Sequence, residues 1–134
     1  MKYRYACPSC RTELNPHEDV VVVAKNGDRS GLVLLHPEPG NQRVFVAASL
    51  QLKPKDAVRF YCPVCQAELK SAAATNLVRL DYKAQDGSEG FATFSRVYGE
   101  HASFYVEKDG AVRAFGESAP LYGDCKFYVE WISG

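Results

Sequence analysis

The chain has 134 residues, a length that suits one domain or two small subdomains. Its composition, 46% hydrophobic and 24% charged, is that of a soluble globular protein, and its formal charge is zero. The apolar runs at 20–24 and 44–48 are far shorter than the roughly 18 residues that a membrane span needs, so we expect no membrane partner. Residues 1–70 hold ten Lys and Arg against seven Asp and Glu, and residues 71–134 hold six against nine. This balance gives no electrostatic argument for tight, nonspecific binding of nucleic acid.

The first element along the chain is a short motif that occurs twice. Residues 4–14, RYACPSCRTEL, align without gaps with residues 59–69, RFYCPVCQAEL. Each copy is typical of an incoming strand, a tight turn that carries two cysteines, and an outgoing segment anchored by a leucine. The proline inside each turn restricts φ to a value that suits the turn. Two copies predict two knuckles that face each other across a pseudo-twofold axis.

The residues between the two copies have the pattern of β-strands. Residues 19–24 and 31–36 are apolar, β-branched runs joined by Asn-Gly-Asp at 26–28, which is a strong hairpin signal. Residues 43–47 and 57–61 can each add a strand. We therefore expect this insert to extend the knuckle ribbon into a small sheet.

The remaining residues predict an antiparallel sheet. Residues 70–76 are small and polar, which indicates a linker, and apolar and polar side chains then alternate over 78–83. A second strand is expected at 91–98, a hairpin around Asp-Gly within 102–115, and a last strand at 127–131. The chain order of these signals is typical of a meander.

The cysteines carry the clearest chemistry in the sequence. Cys7 comes so early that no apolar core of a secretory signal fits before it, so we expect a reducing, cytoplasmic location. Under those conditions two CxxC pairs, Cys7/Cys10 and Cys62/Cys65, indicate a metal site rather than disulfides. Four thiolates suit one tetrahedral ion, for which a structural zinc, one per chain, is the first choice. Two separate redox pairs, or plain buried thiols, are the alternatives.

The two motifs resemble the knuckles of zinc ribbons and rubredoxin-like proteins, over Tyr3–Leu14 and Arg59–Leu69 only. The resemblance implies that the four cysteines of the motifs are ligands of a single ion. Rubredoxins hold iron at such sulfurs for one-electron transfer, and their knuckles usually place glycine directly after the second cysteine. This chain has Arg11 and Gln66 at those positions, so iron is the less favoured metal.

Four protein ligands leave a metal ion no open position, so the site is not expected to activate water or a substrate. Its expected role is structural, with a contribution to folding on the order of 10 kcal/mol, as in small zinc modules. The sequence thus predicts a mostly-β protein in two parts. Residues 1–70 are expected to form a zinc-ribbon-like subdomain with an inserted β-sheet. Residues 76–134 are expected to form an antiparallel β-meander subdomain packed against it.

Other residues give weaker signals of a site. Cys125 is the spare thiol, expected to be buried or at a strand edge, because no activating base can be placed beside it. His17, His36 and His101 could act as bases or ligands, but none lies in a metal-spaced or triad-like motif. His36, which precedes a Pro-Glu-Pro-Gly turn, is the most site-like of the three, although a turn or capping role is favoured for it.

Two pairs of charged residues recur in the repeated motif. Glu13 and Glu68 could accept hydrogen bonds from the knuckle amides and so support the metal ligands. Arg4 and Arg59 stand beside aromatic residues, a combination that can contact phosphate and stack on bases. One arginine per knuckle is also what an ordinary solvated strand carries, and we favour that interpretation.

The leading functional prediction is a zinc-stabilised, noncatalytic binding or interaction module of unknown partner, for which a protein is one candidate. It rests on the lack of a phosphate-binding loop, a nucleophile elbow or a zinc-protease motif in the sequence. A rubredoxin-like iron electron-transfer protein and a nucleic-acid-binding zinc ribbon are the two alternatives. An enzyme that uses His36, His101 or Cys125 also stays open.

Overall fold

The computed structural model describes residues 2–123, which form two antiparallel β-sheets. The strands are β1 (Tyr3–Ala6), β2 (Val20–Asn26), β3 (Arg29–Leu35), β4 (Val44–Val46), β5 (Arg59–Tyr61), β6 (Leu77–Ala84), β7 (Glu89–Ser95), β8 (Ser103–Glu107) and β9 (Val112–Phe115). Within the described range, helical structure is limited to two short 3₁₀ turns, Ala48–Leu50 and Ala119–Tyr122. The prediction of a mostly-β protein is confirmed.

The two sheets separate the two knuckle strands. One sheet has five strands in the order β1-β6-β7-β8-β9, and the other has four in the order β4-β3-β2-β5. The strand that leads into the first knuckle, β1, pairs with β6, whereas the strand that leads into the second, β5, pairs with β2. Each knuckle strand therefore lies at the edge of a different sheet, a placement that the sequence analysis did not predict.

Both hairpins expected from the sequence are present. In the first, Asn26 pairs with Arg29 across a two-residue turn, and Gly27 adopts φ +61°, a left-handed conformation that glycine enters without steric cost. The second joins β8 to β9 through a turn that ends at Gly110. Residues 70–76 form no helix, as predicted. The strand predicted at 127–131, and Cys125, lie outside the described residues.

The main core lies between the sheets and draws side chains from both. Val22 and Val33 of the four-stranded sheet belong to the same buried cluster as Leu80 of the five-stranded sheet. A second, smaller cluster covers the outer face of the five-stranded sheet, around Phe91 and Phe104. The division of the chain into residues 1–70 and 76–134 stays a prediction; the shared core and the β1–β6 pairing connect the two ranges.

A backbone ladder also joins the sheets next to β5. The Lys55 amide donates to the Tyr98 carbonyl at 2.8 Å, and the Tyr98 amide donates to the Asp56 carbonyl at 2.8 Å. The Val58 amide then donates to the Arg96 carbonyl at 2.9 Å. The segment that enters β5 is thus held by the continuation of β7 before it joins the other sheet.

No helix among residues 2–123 is long and apolar enough to cross a membrane.

Tyrosine hydroxyls form the polar part of the core. Tyr5 Oη donates to the Pro37 carbonyl at 2.5 Å and lies 2.6 Å from Tyr105 Oη, so the Tyr105 hydroxyl donates to Tyr5. Burial raises the pKa of Tyr105 to about 12, and this hydroxyl therefore keeps the proton that it donates. Because the two rings come from β1 and β8 and Pro37 follows β3, this chain of hydrogen bonds ties both sheets together.

Tyr5→Phe is expected to lower the free energy of unfolding by about 1–3 kcal/mol, because it leaves the buried Tyr105 hydroxyl without an acceptor. Urea unfolding followed by tyrosine and tryptophan fluorescence measures the change. The matched control is Tyr98→Phe, which removes a more exposed hydroxyl and should stay within about 0.5 kcal/mol of the parent. Equal losses in the two variants would contradict the hydrogen-bond account.

Candidate metal centre

The first knuckle is a turn closed by backbone hydrogen bonds at the end of β1. The Arg11 amide donates to the Cys7 carbonyl at 2.9 Å, and the Cys7 amide donates to the Thr12 carbonyl at 3.0 Å. The Leu14 amide then donates to the Tyr5 carbonyl at 2.7 Å. These bonds reverse the chain and place Cys7 and Cys10 on the same side of the turn.

The second knuckle repeats these bonds one for one at the end of β5. The Gln66 amide donates to the Cys62 carbonyl at 3.0 Å, and the Cys62 amide donates to the Ala67 carbonyl at 3.0 Å. The Leu69 amide donates to the Phe60 carbonyl at 2.8 Å. The eleven-residue sequence repeat is therefore also a structural repeat. The leucine of each copy, Leu14 or Leu69, is buried and anchors its knuckle in the core.

The residue after the second cysteine is left-handed in both knuckles. Arg11 has φ +66° and Gln66 has φ +64°, a region that disfavours side chains with a Cβ atom. Glycine would adopt it without that cost, which explains the glycine found there in rubredoxin knuckles. In this chain Arg11 and Gln66 adopt the left-handed conformation without the glycine.

The two knuckles bring four sulfurs together. The Sγ atoms of Cys7, Cys10, Cys62 and Cys65 all lie within 4.8 Å of one another. Between knuckles, Cys7 Sγ is 3.7 Å from Cys65 Sγ, and Cys10 Sγ is 3.7 Å from Cys62 Sγ. A tetrahedron with Zn–S bonds of about 2.3 Å has S···S edges of about 3.8 Å, whereas a disulfide requires about 2.05 Å. The arrangement fits four ligands of one ion.

Backbone amides of the turns point at the buried sulfurs. The Ser9 amide donates to Cys7 Sγ at 3.4 Å, and the Val64 amide donates to Cys62 Sγ at 3.4 Å. In the second knuckle the Cys65 amide adds a contact of 3.5 Å to Cys62 Sγ. Such N–H groups stabilise negative charge on sulfur, which is the form that binds a metal.

The four thiols divide into an inner and an outer pair. Cys7 and Cys62 are fully buried, while Cys10 and Cys65 are exposed. Burial raises the pKa of the Cys7 thiol to about 12, while hydrogen bonds from Thr12 lower the pKa of Cys10 to about 6. A thiol as buried as Cys7 ionises readily only beside a compensating cation. The cluster is therefore one that can hold a metal ion, with the inner sulfurs shielded from water.

The recurring charged residues lie near the knuckles without supporting the sulfurs. Arg4 Nε lies 3.9 Å from Glu13 Oε1 in an exposed ion pair, and no amide among residues 2–123 donates to the Glu13 or Glu68 carboxylate. Arg11 contacts Asp81 of β6 at 3.3 Å. The hypothesis that both glutamates accept hydrogen bonds from the knuckle amides is therefore wrong for the described part of the chain.

The histidine candidates lie elsewhere. His36 Nδ1 accepts a hydrogen bond from the Glu38 amide at 3.1 Å, which is the turn role favoured for it. His101 Nδ1 lies 2.9 Å from Glu117 Oε1 in an exposed pair. Within residues 2–123 the four cysteines are the one group of three or more potential ligands whose donor atoms converge. Neither histidine takes part in it.

Comparisons with known protein families, with curated protein sequences and with solved structures found no match for this chain. The likeness to zinc ribbons and rubredoxins therefore rests on the two motifs and on the geometry that they adopt. The four converging sulfurs support a metal-binding site, and these comparisons assign no function to the insert and the meander around them.

Gln66→Gly is expected to raise the free energy of unfolding by up to about 1 kcal/mol. The left-handed conformation costs a non-glycine residue about 1–2 kcal/mol, and glycine avoids this cost. The stabilisation is smaller than that cost, because glycine loses more conformational entropy on folding. Urea unfolding of the metal-loaded protein measures the difference. Lys70→Gly, at an exposed site with negative φ, is the control and should lower stability. The account fails if both substitutions lower it equally.

Proposed function

We propose that this chain is a zinc-stabilised, noncatalytic binding module, in which Cys7, Cys10, Cys62 and Cys65 hold one Zn²⁺ ion. The observation that carries the proposal is the pair of 3.7 Å S···S distances across the two knuckles. Those distances match the edge of a zinc tetrathiolate tetrahedron, and they join cysteines that lie 52 and 58 residues apart in the chain.

The ion acts as a cross-link between the two sheets. Cys7 directly follows β1, the edge strand of the five-stranded sheet, and Cys62 directly follows β5, the edge strand of the four-stranded sheet. One ion bound to both knuckles therefore closes the sandwich along these two edges. Because the unfolded chain has no preformed site, the free energy of binding contributes to folding.

The same geometry argues against catalysis at the metal. Four thiolates complete the tetrahedral shell, so neither water nor a substrate has a coordination position to occupy. His36 is held in a turn, and His101 Nδ1 is hydrogen-bonded to the exposed Glu117 carboxylate. Function is thus assigned to the surfaces that the cross-link stabilises, and a protein or small-molecule partner would bind there.

Zinc is preferred to iron because the proposed role of the site is structural. Tetrahedral sulfur sites accept either metal, and a rubredoxin-like electron carrier would use the same four ligands. Rubredoxin knuckles are not separated by a long insert, whereas here the insert supplies three strands of a sheet that the ion helps to fix. A cross-link of this kind needs no redox change, and Zn²⁺ has none.

Nucleic-acid binding gains little support from the arginines at the knuckles. Arg4 is paired with Glu13, and the cation over the Tyr61 ring is Lys25 at 4.7 Å rather than Arg59. A formal charge of zero gives no electrostatic argument for tight, nonspecific binding of nucleic acid. The nucleic-acid alternative predicts retention on DNA or RNA that weakens steeply with salt, and the proposed function predicts none.

Purified protein is expected to contain one zinc per chain by elemental analysis and to be colourless. Removing the ion with a chelator should lower the melting temperature steeply, because metal binding in small zinc modules is worth about 10 kcal/mol or more. Zinc readdition should restore it. A red protein with a thiolate-to-iron absorption band would overturn the choice of metal, and unchanged melting after metal removal would overturn the cross-link.

Two substitutions in the second knuckle form the matched pair for this test. Cys62→Ser removes a buried ligand and should abolish stoichiometric zinc together with the chelator effect. Val64→Ala, in the same turn, changes a side chain that is 62% exposed and should retain zinc and melt like the parent. Loss of zinc from both variants, or from neither, would contradict the assignment of Cys62 as a ligand.

A further inference from the structure

A cavity lies between the two sheets, and its lining includes Tyr5 and Phe60, whose carbonyls close the knuckle turns. Its volume is about 320 Å³, and none of the four clustered cysteines lines it. Val33 and Leu35 of β3 and Val44 and Val46 of β4 form one wall. The opposite wall consists of Leu80, Ala92, Phe94, Ser103 and Tyr105 from β6, β7 and β8. The cavity is therefore a partly open cleft between the two sheets.

The register of the strands shows that this part of the sandwich is left open. Val44 pairs with Leu35, and Val46 pairs with Val33, so all four point to the inner face of their sheet. Val33 is buried, yet Val44 remains 40% exposed. An inward-facing valine at that exposure, on the edge strand β4, is only partly covered by the other sheet. Large apolar cavities destabilise a fold, so an occupant would offset a real cost.

The inner walls carry no formal charge. The tyrosine hydroxyls that reach them, Tyr5 Oη and Tyr105 Oη, are already bonded to each other and to the Pro37 carbonyl. The charged residues of the lining, such as Glu38, Arg43 and His101, belong to the loops that follow β3 and β7. Burying an unpaired charge among these walls would be very costly. The buried part of an occupant must therefore be uncharged.

Ser103 supplies one polar group inside the cavity. It precedes Tyr105 by two residues on β8, so both point to the inner face, and it pairs with Phe94 across the ladder. Among residues 2–123, no group forms a hydrogen bond with Ser103 Oγ, and its side chain is only partly exposed. A hydroxyl in this position can bind a single donor or acceptor on an otherwise apolar molecule.

The volume of the cavity and the aromatic rings that line it indicate which class of molecule can bind there. A volume of 320 Å³ lies at the low end for ligand pockets and equals the space of about ten water molecules. Phe60, Phe94 and Tyr105 line it, and aromatic rings pack well against other rings at their edges and faces. One or two fused rings would fill the space.

We propose that this cavity binds a small, uncharged aromatic molecule of one or two rings, with one hydroxyl or carbonyl group hydrogen-bonded to Ser103. This ligand class makes the proposed binding function more specific. It rests on that function in one respect, namely that the chain binds the molecule without catalysing a reaction. The zinc cross-link positions the two sheets, and the loops at 36–43 and 96–102 complete the lining of the cavity. Neither loop needs to supply a reacting group.

The test is a titration of the zinc-loaded full chain with 2-naphthol, followed by amide chemical shifts. We expect saturable shifts at residues 44–46, 94 and 103, with a dissociation constant below about 1 mM. Naphthalene-2-sulfonate, which carries a charge on the same rings, should bind at least tenfold more weakly. Absence of saturable shifts, or equal binding of the sulfonate, would overturn the proposal.

Three variants locate the site. Val44→Phe should fill the cavity and weaken 2-naphthol binding at least tenfold, whereas Val112→Phe, on the exposed edge strand β9 outside the lining, should leave it unchanged. Ser103→Ala should weaken 2-naphthol about 3- to 10-fold and leave naphthalene unaffected, as loss of one hydrogen bond predicts. Unchanged binding in Val44→Phe, or equal losses for both probes in Ser103→Ala, would contradict the assigned contacts.

Zinc content, measured on the same samples, separates this inference from the proposed function. A zinc-loaded chain that binds no 2-naphthol would refute the cavity site and leave the metal cross-link intact. A chain without zinc that still binds the probe at residues 44–46 and 103 would refute the cross-link and support the site.

Discussion

The structure depends on four sulfurs from distant parts of the chain meeting at the edges of two different sheets. Cys7 directly follows β1 and Cys62 directly follows β5, and the turns that begin there place all four Sγ atoms within 4.8 Å of one another. Without a cation, four neighbouring thiols that include two fully buried ones would gain nothing from this arrangement. With a cation bound to all four sulfurs, the edge strands of both sheets would be attached to the same ion. A bound ion would thus hold the two sheets together at one end of their shared core.

This constraint explains features that would otherwise look unfavourable. Arg11 and Gln66 both adopt left-handed backbone conformations, at a cost that the hydrogen bonds of the closed turns offset and that a bound ion would offset further. The sandwich also tolerates an open region near Val44, far along the order of strands from the knuckle edges. A fold held by a strong cross-link on one side can leave part of its interior unfilled on another, and a cavity of that kind is where a ligand can bind.

Local signals in the sequence predicted local structure well. The Asn-Gly-Asp turn at 26–28 and the paired CxxC motifs each specify their geometry within a few residues, and both are present. The pairing of β1 with β6 could not be predicted from local sequence signals, because the two strands are separated by 70 residues and both have ordinary alternating patterns. The cavity also escaped prediction, since Val44 and Ser103 become its walls only through the register of two separate sheets.

The central claim is that one zinc ion is bound by all four sulfurs. X-ray absorption at the zinc edge of the purified protein tests it most directly, because the method counts ligand atoms and measures their distances. The account predicts a single shell of four sulfurs at about 2.3 Å. A shell with fewer sulfurs, or with nitrogen or oxygen ligands in their place, would contradict it.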